Sequence, residues 1–263
     1  MDNNLLQVIV LGIIEGVFEF LPISSTGHLI VAEHWLGTRS ELFNIAIQSG
    51  AILAIVLVYR QRLVDILLTR FGVASNRDYL LKLLLAFAIT AVGGLIVKRL
   101  GFKLPEDVTP IAWAFIIGGF LILIVEFIVV KRPPDSFVSW NVAAWVGLLQ
   151  IVAGVFPGTS RSAATIFAAM LAGTTSRPAA AEFAFLVGIP TMFAATGYEL
   201  LQTMKSDGLN GVDWQSLAIG FVVSTVVAFA VVKWLLKFIQ THRFTIFAWY
   251  RIVFGTLILV VLK

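Results

Sequence analysis

Cysteine is absent from this chain of 263 residues, which excludes disulfide bonds and thiolate metal sites. Charged residues are scarce as well: Asp, Glu, Lys and Arg make up 13% of the chain, against about 25% in an average soluble domain. Hydrophobic residues make up 59%. Because so few charges cannot cover a folded chain with a hydrated surface, the composition predicts an integral membrane protein. The net charge of +4 fits the basic loops that set membrane topology, and no nucleic-acid partner is expected.

Six long apolar runs indicate how many helices cross the membrane. Each is long enough to cross a bilayer as a helix, the conformation that satisfies its own backbone hydrogen bonds. The runs cover residues 41–60, 79–98, 111–130, 179–201, 214–236 and 245–262. The sequence therefore predicts an all-α integral membrane protein with about six transmembrane helices, surrounded by membrane lipids.

Two further apolar regions are interrupted by polar residues. Residues 4–36 contain Pro22 followed by Ser-Ser-Thr-Gly, and residues 141–173 contain Pro157-Gly158 followed by Thr-Ser-Arg-Ser. Irregular backbone at membrane depth is tolerated only where protein or a watery cavity surrounds it. Both regions are therefore predicted to be re-entrant helix hairpins, each entering and leaving the membrane on one side.

The order of these elements repeats along the chain. A hairpin plus three spans occupies residues 1–132, and a second hairpin plus three spans occupies residues 141–263. Because three is an odd number, the second copy is expected to lie upside down in the membrane. Such inverted-topology repeats build polar sites where their broken helices meet, so one membrane domain with a central site is predicted.

Basic residues orient the predicted repeats. The loops that would share one side carry Arg60, Arg62, Arg70, Arg77, Lys131, Arg132, Arg177, Lys237 and Arg243. The opposite loops carry only Arg99, Lys103 and Lys205. Because cytoplasmic loops are enriched in lysine and arginine, the first group is expected to be cytoplasmic. The first hairpin then faces outward and the second enters from the cytoplasm.

Two carboxylates stand before the first break. Glu15 and Glu19 are four residues apart, so on a helix they share one face. Ionisable groups inside a membrane are costly and suggest function, although both could instead line the mouth of the hairpin in water. Two adjacent carboxylates repel each other unless one is protonated or a cation lies between them. We expect a divalent metal site at these residues, occupied by Mg²⁺ or Ca²⁺.

The first break itself carries groups suited to an anion. The small residues from Ser24 through Thr26 to Gly27 let backbone N–H groups face a ligand, and the next half-helix begins there. If that stretch is helical, Ser25 and His28 can meet as a nucleophile and its base. Phosphohistidine formation on His28, and Glu19 as the base, are the alternatives.

The second break supplies Ser160, Arg161, Ser162 and Thr165. An arginine at membrane depth needs an anionic partner, and its planar guanidinium suits a phosphate. A structural ion pair with Glu15 or Glu19 is the alternative, and the two roles can coexist. Hydroxyls, a cation and acid–base groups together fit phosphoryl transfer better than acyl transfer.

The stretches EGVFEFLPISSTGH and PGTSRSAAT resemble the two signature motifs of undecaprenyl-pyrophosphate phosphatases of the BacA type. The resemblance implies a multi-pass bacterial inner-membrane enzyme, associated with bacitracin resistance, that removes one phosphate from undecaprenyl pyrophosphate, a polyprenyl diphosphate, to give a lipid phosphate that carries cell-wall precursors. With the orientation predicted from the basic loops, its site is expected to open to the periplasm. It also implies a requirement for Mg²⁺ or Ca²⁺. It places catalytic roles on Glu15, Glu19, Ser25, His28 and Arg161, with Ser24, Thr26, Gly27, Ser160, Ser162 and Thr165 around the phosphates.

Other interpretations are weighed against this one. Phosphatases of the type 2 phosphatidic-acid-phosphatase group need a histidine and an aspartate where this chain has Phe167 and Leu171, so that interpretation fails. A polyprenyl-phosphate transporter or flippase stays an alternative, because inverted repeats are transporter architecture. The oligomeric state is open, a homodimer included. Four charged residues in the predicted spans have no assigned role, and they could either pair with one another or lie near the membrane interface: Glu126, Glu182, Glu199 and Arg251.

Overall fold

The computed structural model describes residues 3–67, 74–101, 108–206 and 212–261, and within these ranges it contains eleven helices and no strand. The helices are α1 Asn3–Phe18, α2 Ser25–Leu36, α3 Glu41–Val58, α4 Arg60–Leu67, α5 Ala74–Arg99, α6 Val108–Val129, α7 Trp140–Val155, α8 Arg161–Ala172, α9 Arg177–Ser206, α10 Trp214–Thr241 and α11 Thr245–Val261. Arg70, Lys103 and the last residue of the run 245–262 lie outside the described residues. The all-α prediction is confirmed.

Helices occupy all six predicted spans. Five of them, α3, α5, α6, α9 and α10, are long and apolar enough to cross a membrane. The sixth, α11, is apolar but has 17 residues, so at 1.5 Å per residue it is about 25 Å long, somewhat shorter than a hydrocarbon core of about 30 Å. Residues 60–78, predicted as a loop, hold the amphipathic helix α4 and the start of α5 instead.

The two interrupted regions are helix–break–helix hairpins, as predicted. In the first, residues 19–24 separate α1 from α2; in the second, residues 156–160 separate α7 from α8. The longer helix of each hairpin has 16 residues and the shorter has 12, which makes them about 24 and 18 Å long. None of the four is long enough to cross the hydrocarbon core alone.

Each hairpin packs against a helix from the other half of the chain. Helix α1 lies along α10, where a Cβ added to Gly16 would stand 2.7 Å from the carbonyl oxygen of Ser224. Helix α7 lies along α5, where a Cβ on Gly147 would stand 2.7 Å from the carbonyl oxygen of Ala86. Small residues permit such close helix packing in membranes. Each half of the chain therefore packs its hairpin against the other half, which fits an internal repeat. The division at residues 132 and 141 and the inverted orientation of the second copy stay predictions.

Candidate active site

Both breaks end in a serine with an unusual backbone conformation. Ser24 has φ 71° and Ser160 has φ 69°, and they are the only non-glycine residues with positive φ in the described parts of the chain. Each is the N-cap of the following helix: the Ser24 hydroxyl accepts from Gly27 N at 3.3 Å, and the Ser160 hydroxyl accepts from Ala163 N at 3.2 Å. Such a conformation costs about 1–3 kcal/mol and persists where the surroundings enforce it. The two breaks therefore share one local design.

The two hairpins meet at these breaks, as the sequence predicted. The Ser162 hydroxyl of the second hairpin donates to the carbonyl oxygen of Leu21 in the first at 2.9 Å. Arg161 Nη2 donates to Glu19 Oε1 at 3.0 Å and to Gln48 Oε1 at 3.3 Å. The ion pair between Arg161 and Glu19 that the sequence allowed is therefore formed, and it connects the two halves of the chain.

Glu19 also binds the predicted nucleophile. The Ser25 hydroxyl donates to Glu19 Oε2 at 2.5 Å, so the two oxygens of one carboxylate bind Ser25 and Arg161. Glu19 and Ser25 are 7% and 5% exposed. A carboxylate in this position can accept the proton of Ser25 and hold Arg161 close to the hydroxyl.

The predicted hydrogen bond between Ser25 and His28 is not formed. His28 Nδ1 lies 2.7 Å from the carbonyl oxygen of Ser24, which can only accept, so Nδ1 carries the proton. His28 Nε2 lies 2.7 Å from the Tyr250 hydroxyl and accepts from it. The imidazole is stacked between Phe18 and Phe254, at centroid distances of 4.0 and 4.5 Å. Because its one lone pair is occupied, His28 cannot take the Ser25 proton in this arrangement.

Glu15 lies beside this group without a hydrogen-bond partner. Its side chain is fully buried, and its carboxyl oxygens form no hydrogen bond of normal geometry, although the Ser25 hydroxyl and the Glu19 carboxyl group are close enough to interact with it. The carboxyl group interacts electrostatically with Glu19 and Arg161. Two adjacent carboxyl groups, one with unpartnered oxygens, are the hard oxygen ligands that Mg²⁺ and Ca²⁺ prefer. Among the described residues no group of three or more histidine or acidic side chains could hold a metal ion, so such an ion would also need oxygen ligands of other kinds.

The remaining predicted site residues surround the two N-caps. Ser160 Oγ lies 3.1 Å from Ser162 Oγ, and Thr165 donates back to the Arg161 carbonyl at 2.8 Å. Thr26 is half-buried in the first turn of α2. Gly27 is packed under Phe115, because an added Cβ would stand 2.3 Å from the ring.

A small cavity adjoins the ion pair. It has a volume of about 20 Å³ and is lined by Glu19, Arg161, Ser162, Thr165 and Gln150 among others. A single water molecule needs roughly 10–15 Å³ on this measure, so the cavity has room for one.

Arg251 is the residue of this region that sequence reasoning missed. Its side chain is fully buried, and its guanidinium donates to five backbone carbonyls. Three of these carbonyls, those of Pro22, Gly158 and Thr159, belong to the breaks. The sequence does show that Arg251 is a charged residue within a predicted span, but it does not show which backbone carbonyls this residue binds.

The other unassigned charges do not pair with one another as the sequence suggested. Glu126 accepts from both Nε and Nη2 of Arg177, at 2.9 Å for Nε, and also from the backbone N of Phe244 at 2.9 Å. Glu182 pairs with Arg62 at 3.1 Å. Both pairs lie away from the breaks and connect helix ends.

Comparison with known proteins gives this site its context. The family model described as "Bacitracin resistance protein BacA" matches residues 8–257. A Rhizobium etli protein named undecaprenyl-diphosphatase is 62% identical over 250 residues, which cover 95% of this chain and 94% of that protein. A protein of the same name from Xanthomonas oryzae pv. oryzae is 57% identical over 257 residues, covering 98% and 97%. These matches extend over nearly the whole chain, and the chain therefore belongs to the family of the bacitracin resistance protein BacA.

Proposed function

We propose that this multi-pass membrane protein is an undecaprenyl-diphosphate phosphatase. It hydrolyses undecaprenyl diphosphate to undecaprenyl phosphate and inorganic phosphate, and so recycles the lipid carrier of cell-wall synthesis. The observation that carries the proposal is the Glu19 carboxylate, which binds the Ser25 hydroxyl with one oxygen and the Arg161 guanidinium with the other. Relatives that are 56–62% identical are named for this activity.

The first step is attack by Ser25 on the terminal phosphorus. The bond from Ser25 Oγ to phosphorus forms while the hydroxyl proton moves to Glu19, and the bond from phosphorus to the bridging oxygen breaks. Undecaprenyl phosphate leaves with the electron pair of that bond. Glu19 is the proton acceptor because the Ser25 hydroxyl already donates to it, whereas the lone pair of His28 is occupied.

The second step is hydrolysis of the phosphoserine. A water oxygen forms a bond to the phosphorus while the bond from the phosphorus to Ser25 Oγ breaks, and Glu19 returns its proton to that Oγ. Inorganic phosphate leaves as dihydrogen phosphate, which carries both protons of the water. The cavity beside Glu19 and Arg161 has room for one such water. Throughout, the planar guanidinium of Arg161 stabilises charge on the phosphoryl oxygens, and the N-termini of α2 and α8 favour an anion between them.

Glu15 and Glu19 would hold a divalent cation in this proposal. When bound, Mg²⁺ or Ca²⁺ supplies charge neutralisation for the diphosphate oxygens. The unpartnered oxygens of Glu15 support this assignment, because a buried carboxyl group without a donor is otherwise costly. Ser24, Thr26, Gly27, Ser160, Ser162 and Thr165 are assigned to the surroundings of the phosphates.

The proposed setting is the bacterial inner membrane, with the site open to the periplasm. The excess of arginine and lysine in the loops predicted to be cytoplasmic supports this orientation. The apolar chain of the substrate would remain in the lipid.

The test is phosphate release from undecaprenyl diphosphate by the purified, detergent-solubilised protein. We expect release by the unaltered protein and at least about a hundredfold less from Ser25→Ala, because the nucleophile is gone. Ser136→Ala, at an exposed loop position, is the matched control and should be fully active. If the unaltered protein releases no phosphate but moves the lipid between the leaflets of vesicles, the transporter alternative replaces this proposal.

A further inference from the structure

We propose that Tyr250 and Arg251, consecutive residues of α11, are positioning residues that hold both breaks in register for phosphoryl transfer. This inference rests on the proposed function and assigns a task to two residues outside both sequence motifs. Neither side chain contacts Ser25 or Arg161 in the structure, so neither is proposed to touch the reacting atoms.

Arg251 connects the two breaks to α6 through its whole guanidinium. Nη1 donates to the carbonyls of Pro22 at 3.3 Å and Thr159 at 3.2 Å, and Nη2 donates to Gly158 at 2.8 Å. The remaining contacts reach α6, with Nη2 donating to Ala114 at 2.8 Å and Nε donating to Phe115 at 3.3 Å. A guanidinium has five N–H donors, so every donor has an acceptor.

Three of the carbonyls that Arg251 binds, those of Pro22, Gly158 and Thr159, lie in the breaks, where no regular helix supplies a partner. Irregular backbone in a membrane protein needs such partners, because no bulk water is present to supply them. A lysine has three donors on one nitrogen and cannot span five carbonyls. Gly118 of α6 leaves room for this guanidinium, because a Cβ at that position would stand 2.2 Å from Arg251 Nη2.

Tyr250 acts on the first break through His28. The Tyr250 hydroxyl donates to His28 Nε2 at 2.7 Å, and His28 Nδ1–H donates to the Ser24 carbonyl at 2.7 Å. Ser24 is the strained N-cap that immediately precedes Ser25. The chain from Tyr250 through His28 therefore fixes the peptide that carries the nucleophile, and it gives His28 a positioning role in place of the predicted role as base.

Together the two residues reach both reactive groups from one helix. Tyr250 acts on the residue before Ser25, and Arg251 binds the carbonyl two residues before Arg161. A displacement of about 1 Å between reacting groups can cost on the order of a hundredfold in rate. Losing this support should therefore lower kcat and leave KM, which depends on the intact binding groups, almost unchanged.

The test compares Arg251→Lys and Tyr250→Phe with the unaltered protein in the phosphate-release assay. We expect kcat to fall about tenfold to a hundredfold for Arg251→Lys and about threefold to tenfold for Tyr250→Phe, with KM within about twofold. Arg60→Lys, which loses one exposed contact with the Leu57 carbonyl, and Trp249→Phe, exposed on α11, are the matched controls and should keep normal kcat. A normal kcat for Arg251→Lys would overturn the inference while leaving the proposed function intact.

Two measurements separate positioning from simple misfolding. Gly118→Ala keeps Arg251 but places a methyl group against its guanidinium, so it should lower kcat through the same contact. The variant that combines Gly118→Ala with Arg251→Lys should therefore lose less kcat than the product of the two single losses. Gly94→Ala, where the added Cβ meets no atom within 4 Å, is the control. Cysteines placed at Leu21 and Ser162 report on the meeting of the breaks independently of activity, since the chain has no other cysteine. Thiol crosslinking should slow in Arg251→Lys. The positioning role would be contradicted by an unchanged crosslinking rate in Arg251→Lys. It would also be contradicted if the losses of kcat in Gly118→Ala and Arg251→Lys multiplied fully in the double variant.

Discussion

Ser25 and Glu19 are joined by a 2.5 Å hydrogen bond from hydroxyl to carboxylate, across a break between two helices of one hairpin. The five residues between them include Pro22 and the strained Ser24, so no regular helix brings them together. This contact determines which group can act as base in the proposed chemistry, and it makes the identity of the nucleophile testable.

The first prediction concerns the phosphorylated residue. Brief incubation with substrate labelled in its terminal phosphate, followed by quenching in denaturing detergent near neutral pH and peptide mapping, should place the label on Ser25. Glu19→Gln should abolish labelling, because the hydroxyl then has no carboxylate to receive its proton. Label on His28 would contradict the serine mechanism, and its absence from every residue would favour direct attack by water.

The second prediction concerns the two carboxylates and the cation. Glu19→Gln should remove nearly all activity, whereas Glu15→Gln should lose a large part, since Glu19 makes the well-formed hydrogen bonds to Ser25 and Arg161 and Glu15 makes none of normal geometry. A chelator should inactivate the unaltered enzyme, and added Mg²⁺ or Ca²⁺ should restore it. Calorimetric titration of the protein with either ion measures binding without activity. Full activity in excess chelator would leave the carboxylates with acid–base roles only.

The third prediction concerns Arg161. Arg161→Lys keeps the charge but loses the planar pair of donors, so we expect a loss of about 2–4 kcal/mol of transition-state stabilisation, or a kcat lower by a hundredfold or more. The exposed Arg132→Lys provides the comparison, since Arg132 binds only the Leu171 carbonyl among its described contacts. Near-normal turnover of the lysine variant would exclude Arg161 from charge stabilisation.

The fourth prediction concerns stability away from the site. Glu126→Gln leaves Arg177 without a charged partner in a place where the Glu126 side chain is 2% exposed. We expect a loss of about 1–3 kcal/mol and a Tm lower by about 2–4 °C per kcal/mol, with kcat unchanged, as measured by thermal unfolding in detergent. The more exposed pair of Glu182 with Arg62 should matter less, so Glu182→Gln is the control. An unchanged Tm for Glu126→Gln would show that the pair contributes nothing.

The fifth prediction concerns orientation. Thr38 follows the first hairpin, Ser136 lies in the connection before the second, and both are exposed. In the otherwise cysteine-free chain, an impermeant thiol reagent should label Thr38→Cys in cells whose outer membrane alone is permeable. Ser136→Cys should react only after the inner membrane is opened. The reverse pattern would turn the proposed site toward the cytoplasm.

The sequence by itself determined the apolar helices, the two breaks and most of the candidate residues of the site, whereas the short helix α4 was predicted as a loop. Apolar runs specify helices in a membrane because no other conformation there satisfies the backbone locally. Pro22 and Pro157-Gly158 interrupt those runs through their own backbone chemistry, and the hydroxyls, carboxylates and Arg161 stand out against apolar neighbours. These are local properties, so they can be read from neighbouring letters.

The partners within the site were decided by the tertiary structure alone. Spacing allowed Ser25 to meet His28, but the backbone of the break directs Ser25 to Glu19, and helix α11 occupies the imidazole with Tyr250. Arg251 binds carbonyls as far as 229 residues away in the chain. Every residue has a backbone carbonyl, so the sequence cannot indicate which carbonyls an arginine will bind. Only the packing of α11 against both breaks determines the carbonyls that Arg251 reaches.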